Sequence, residues 1–194
     1  MAIDTGLAIT CDDLQSTGGI KRILLRSWAT GDTVLYGSST HTITSIKDTG
    51  GTDADWGVYE FKNETPAITI NGTKENGSTA FECGLSFFLP KLELNKLNAV
   101  QDMLSACMMI IAVDTNDKAF VLGVSEKYRN ESVASRSQTY GNFASAEGGT
   151  GAAYSDESGV TISLMARQFE MPREYVASAT GIVVAADGLT ATTD

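Results

Sequence analysis

The sequence is poor in the residues on which most enzymatic chemistry depends. Histidine occurs once, as His41, in a threonine-rich stretch, and there are only three cysteines, Cys11, Cys83 and Cys107. One imidazole leaves no zinc constellation. Three thiols without C-x-x-C spacing form neither a redox pair nor a disulfide framework, and an odd count points to free thiols in a reducing compartment. Cys83 alternates with apolar residues and reads as a small core side chain. Three prolines in 194 residues argue against a low-complexity chain. No apolar run nears the ~20 residues of a membrane helix, and "MAIDTGLAIT" lacks the basic region and apolar block of a signal peptide. Nucleophile-elbow, H-E-x-x-H and Walker patterns do not occur. Gly149-Thr150-Gly151 lacks the third glycine, flanking strand and helix of a dinucleotide loop. Asp114-Thr115-Asn116-Asp117 begins like a calcium loop, but Lys118 and Ala119 stand where a ligand and a glycine are required, so it reads as an Asx-stabilised hairpin turn. No catalytic, cofactor or metal site is expected.

Positive charge is also scarce. Fourteen Lys and Arg face 24 Asp and Glu, for a net charge of −10. Tight nucleic-acid binding needs clustered cations that release counterions, and this balance disfavours it. The acids concentrate between residues 46 and 82, whereas Lys21, Arg22 and Arg26 share one predicted strand. These are either solvated faces or complementary surfaces of neighbouring copies.

Strand patterns make up most of the chain. "GIKRILLRSW" (19–28), "THTITSIK" (40–47), "WGVYEFKN" (56–63) and "AITING" (67–72, ending in the Asn71-Gly72 turn pair) read as strands. In "FECGLSFFL", Phe81, Cys83, Leu85, Phe87 and Leu89 share a face, and Pro90 ends the run. Leu97, Val100, Leu104 and Cys107 recur at helical spacing with Asn95 as N-cap, predicting one amphipathic helix over about 95–107. Met109–Val113 and Ala119–Glu126 form a hairpin. Residues 130–159, rich in Ser, Gly and Ala, read as a long exposed loop. Val160–Ala166 alternates as a strand and leads into a mixed-charge arm, and Ile182–Ala186 is a short strand before a polar end. The expectation is a single domain over 1–194: a mainly β, antiparallel sandwich or barrel with one packed helix.

The segment from Phe81 to Val176, about half the chain, resembles bacteriophage tail tube proteins. Asp114, Asn116, Lys118, Leu122 and Gly123 match the family's hairpin, Asp156 and Gly159 its loop exit, and Glu170, Pro172 and Tyr175 its final arm. Arg167 and Gln168 depart from it, standing where the family often places acids. The resemblance implies hexameric rings stacked head-to-tail into a hollow tube in the virion tail, made in the host cytoplasm. It implies as partners other tail proteins (tape measure, terminator, a possible sheath), with DNA passing through without specific binding and no membrane. It makes Arg167, Glu170, Pro172, Arg173, Glu174 and Tyr175 a candidate inter-subunit arm, where Arg173→Ala with Glu174→Ala is expected to weaken assembly and spare the monomer. Asp48, Asp53, Asp55, Glu60, Glu64 and Glu75 become candidate lumen or ring-stacking acids, and the loop between Ile46 and Trp56 a candidate contact to the next ring. The alternatives are another β-rich virion protein (capsid decoration or tail-tip module) and the inner tube of a contractile injection or secretion machine.

Overall fold

A computed structural model describes residues 18–37, 41–59, 61, 64–75, 78–126, 139–151, 157–176, 181–186 and 188–193. The elements are β1 (Ile20–Ser27), β2 (Thr33–Tyr36), β3 (Ile43–Lys47), β4 (Ala54–Tyr59), β5 (Ala67–Glu75), β6 (Ser78–Pro90), α1 (Leu94–Met103), β7 (Met108–Asp114), β8 (Ala119–Leu122), β9 (Gly141–Gly149), β10 (Gly159–Gln168), β11 (Arg173–Tyr175), β12 (Ile182–Val184) and β13 (Thr190–Thr193). Among the described residues the chain is mainly β with one short helix, as the strand patterns predict.

The strands form two layers. One path runs β12-β13-β4-β1-β7-β8-β11-β3-β2 and curls into an open half-barrel. A second layer, β5-β6-β10-β9, joins it at the single pair Met108–Gly141. The joined strands explain why "MMIIAV" carries no polar alternation. Met108, Ile110 and Ala112 pack between the layers with Ile23, Leu25, Leu85, Phe87, Ile162 and Leu164. Met109, Ile111 and Val113 point the other way, into the half-barrel, with Leu24, Ile43, Ile46, Trp56 and Val121. A strand buried on both faces reads as a continuous apolar run. Each of the larger side chains contributes about 2 kcal/mol by leaving water, and Ala112 less than half of that.

Strand β6 behaves as its alternation predicts: Cys83, Leu85, Phe87 and Leu89 are buried, with Phe81 packed beside them. The hairpin turn is also as read. Asp114 Oδ1 accepts from the Asn116 and Lys118 backbone N–H groups at 2.9 and 2.7 Å.

Four expectations need correction. The helix ends at Met103, because Leu104 tightens onto Gln101 and the Trp28 N–H already donates to the Cys107 carbonyl at 2.8 Å, which commits that residue to the start of β7. Its N-cap is Glu93, without a side-chain cap bond, and Asn95 lies inside the helix. Its inward face is Val100 and Met103, while Leu97 and Leu104 are about half exposed. Second, Asn71-Gly72 is not a turn. The pair sits within the β5–β6 ladder opposite Glu82 and Phe81, and a Cβ on Gly72 would fall 2.8 Å from the Phe81 ring, which lies over it. Third, Gly141–Gly149 is not loop. As β9 it pairs with β10 from Gly141↔Ala166 to Gly149↔Gly159, with one register shift. Its run of exposed small side chains hides it from any apolar pattern. Fourth, the polar tail contains β13, pinned where Trp56 Nε1 donates to Thr193 Oγ1 at 3.0 Å in the core.

Candidate assembly surfaces

Because each layer is an open sheet, strand edges remain. Among the described residues, β5 of the second layer pairs only with β6, and β9, beyond Gly141, only with β10. All three contacts in β5-β6-β10-β9 are antiparallel. Strand directions therefore alternate, and the two outer edges run in opposite senses. Such rims of unpaired N–H and C=O groups are templates for another strand.

One face of this layer covers the core and the other is bare. Thr69, Ser86, Thr161 and Ser163 lie on the bare face with Phe88 and Met165. Its described cation is Arg167, directly across from Glu82 and paired with it at 2.7 Å. With 71% and 42% of the two side chains exposed, this pair contributes at most about 1 kcal/mol. Glu147 adds a carboxylate from β9 opposite Thr161. The β5–β6 hairpin projects beyond β10, whose pairing stops at Phe81 while the hairpin ladder continues to Glu75↔Ser78.

The six arm residues lie largely within their own chain's sheet. Strand β11 is inserted between β8 (Arg173↔Val121) and β3 (Tyr175↔Ile43). Tyr175 is buried in the half-barrel core. Arg173 pairs with Glu170 and Glu126, and Glu174 with Lys118 at 2.7 Å. Glu170 accepts the Glu126 backbone N–H, and Gln168 Oε1 accepts that of Gly123 at 2.8 Å. The charges expected to face a neighbour thus have partners at home, and Pro172 lies beside the β5 flank. The arm ties the β2–β3 hairpin to the rest of the sheet, so removing its charges bears on the monomer's stability as well.

The acids are dispersed. Asp48 closes the β3–β4 turn by accepting from Gly50 and Thr52 N–H at 2.8 and 3.0 Å; the Thr52 side chain first, and then these N–H groups, hold its carboxyl below the usual range. Asp53 pairs with Lys47, and Asp55 is exposed on β4. Glu64 sits before β5 at φ 64°. Glu75 is the last residue of β5, and Glu60 falls outside the described residues, as does Asp156. Asp48, Asp53, Asp55 and Glu64 are not part of the β5-β6-β10-β9 layer. The segment between Ile46 and Trp56 is a tight turn, anchored where Thr49 Oγ1 donates to the Thr30 carbonyl, so the projecting element on the described chain is the β5–β6 hairpin.

No residue pattern in β5 or β9 marks either strand as an outer edge of its layer. An edge is defined by which strand lies beside it, and no residue type marks that.

The polar groups with chemical potential are engaged locally. His41 Nδ1 meets Glu126 Oε2 at 3.2 Å. Cys83 is buried, and desolvation pushes its thiol up to about 11, which removes the thiolate at neutral pH. Among the described residues no group of three or more His, Cys, Asp or Glu side chains is placed to hold a metal, and no helix is long and apolar enough to cross a membrane. Comparison with protein-family models, with curated proteins and with solved structures finds no match to this chain.

Proposed function

We propose that this chain is the structural subunit of a phage tail tube, joining identical copies edge to edge into rings that stack into a hollow conduit for DNA. One observation carries the reading: a four-stranded antiparallel layer whose two outer edges, β5 and β9, are open among the described residues and run in opposite directions. Cyclic symmetry about an axis along the strands keeps every copy in the same orientation. The β9 of one copy then meets the β5 of the next antiparallel, and the contact repeats until the ring closes. A layer with an odd number of alternating strands would meet its neighbour parallel instead. Closure removes every edge of this layer.

In this arrangement the bare face lines the channel. Its hydroxyls and paired Arg167 offer phosphates no row of free cations, so counterion release cannot hold DNA to the wall. Non-adhesion then comes from a near-neutral polar wall, with Asp48, Asp53 and Asp55 acting elsewhere on the surface. The β5–β6 hairpin projects along the axis towards the next ring.

Negative-stain electron microscopy of the concentrated purified protein tests the reading. Rings or hollow rods are expected. Particles seated singly on capsids, with no strand contact between copies, would replace it with the decoration-protein alternative. A tube inside a contractile sheath would move it to the injection-machine class.

A further inference from the structure

The two flanks of the β-sandwich differ in how they are closed. On the β9 flank, α1 seals the gap between the layers: of the strands, β9 is the one it lies against most closely, and Val100, Met103 and Ala106 pack inward with Phe143. Beside this inward face α1 carries Leu94 and Leu97, 72% and 46% exposed, and its C-cap residue Leu104 is 51% exposed. They lie at i, i+3 and i+10, one stripe along the flank of the helix that continues into its cap. On the β5 flank no helix among the described residues covers the gap. A cavity of about 380 Å³ opens there between the layers, lined by Ile20, Pro66, Ile68, Ile70, Phe120 and Pro172. Ile70 is 43% exposed.

We propose that the leucine stripe of α1 in one copy inserts into the apolar mouth beside β5 of the next copy. The inference rests on the β5–β9 edge contact proposed above and names the side chains that make it specific. When β9 of one copy lies along β5 of another, the helix on the β9 flank is brought against the uncovered gap on the β5 flank. The leucine stripe and the gap, both open among the described residues, then complete each other in a heterologous contact that repeats around a ring. The size fits. A nine-residue strand is about 30 Å long and a two-layer flank about 20 Å thick, on the order of 600 Å² of face, close to the roughly 800 Å² per partner of a specific interface. Strand pairing alone supplies backbone hydrogen bonds that any extended segment could make. The leucine-in-mouth contact selects a second copy of this chain.

Two variants test it, both in a chain with Cys11 and Cys107 replaced by serine. Leu97→Ser with Leu104→Ser is expected to weaken self-association by about tenfold or more, read by sedimentation at equal folded fraction, since both half-buried leucines also support the monomer. Leu97→Cys with Ile70→Cys, treated with a short bismaleimide, is expected to give a ladder of covalent oligomers. Each single variant alone should give none, and a mixture of the two singles should stop at dimers. Rings that form without this ladder, and with unchanged affinity in the serine variant, overturn the inference and leave the tube reading standing. Leu97→Cys cross-linking to itself overturns it in favour of a two-fold contact. A separate Ile70→Cys chain keeping Cys11 tests the other occupant, residues 1–17, which lead to Gly18 on the rim of the mouth. An intrachain disulfide there overturns the inference. A wild-type chain that stays monomeric at every concentration removes both this contact and the tube.

Discussion

Single residues hold the half-barrel together where the sequence shows only polar side chains. Asp32 is buried, accepts the Ala29 N–H at 2.9 Å and pairs with Arg26 at 3.0 Å, fixing the turn from β1 to β2. Asp32→Ala leaves Arg26 without its carboxylate and is expected to cost about 3 kcal/mol in urea unfolding. Gly123 sits at φ 81°, and a Cβ there would fall 2.7 Å from both the Gly141 nitrogen and the Met108 oxygen. Gly123→Ala therefore combines backbone strain with a backbone clash, at about 2 kcal/mol or more by the same measurement. Acid sensitivity follows from two turn carboxyls. Asp48, held by Thr52 and Gly50, and Asp117, held by Lys21, both have folded values below the ordinary 3.8. Their contribution is complete above the unfolded value and is lost as pH falls from about 4 through the still lower folded values. Thermal melts should therefore hold from that window to neutral pH and decline below it. Replacing both by asparagine should reduce the decline.

Among the elements, β11 is the clearest departure from a reading by pattern alone. "REY" has neither the length nor the alternation of a strand, yet it bridges β8 and β3. Tyr175→Ala is expected to cost about 3 kcal/mol through the cavity it leaves in the half-barrel core. Arg173→Ala with Glu174→Ala removes half-buried ion pairs to Glu126, Glu170 and Lys118, and should lower monomer stability by about 1–2 kcal/mol. A defect in assembly seen with that variant must be compared at equal folded fraction. Legibility in the sequence tracked burial. β6 and β10 alternate because one face of each is core, and β7 is continuous because both faces are. β9 was not legible, since its backbone is paired while its side chains, from Ala144 onward, stand in solvent. The helix was legible in kind but not in extent, because a contact from Trp28, 79 positions earlier, ends its reach.

For the whole molecule the open layer is the feature with consequences. Ala144 and Ala146 on β9 are exposed. Replacing both with lysine places charge along that edge, a device that blocks strand addition. The monomer should keep its stability within about 0.5 kcal/mol, as exposed substitutions usually do. Association should fall to the monomer in size-exclusion chromatography at concentrations where the wild type forms larger species. An unchanged elution profile would remove β9 as a joining edge.

Residue order alone determined the fold class, the two-faced apolar run of β7, the one-faced alternation of β6 and β10, and the Asp114 turn. Each follows from local rules of periodicity and turn chemistry acting within a few residues. The tertiary structure decided which strands are edges, which flank the helix seals, and that the charged stretch after β10 returns into its own sheet. Those outcomes depend on pairing between segments tens of residues apart. A strand's hydrogen-bonding rim is the same for every sequence, so only the neighbour that occupies it, or fails to, distinguishes an interior strand from a joining surface.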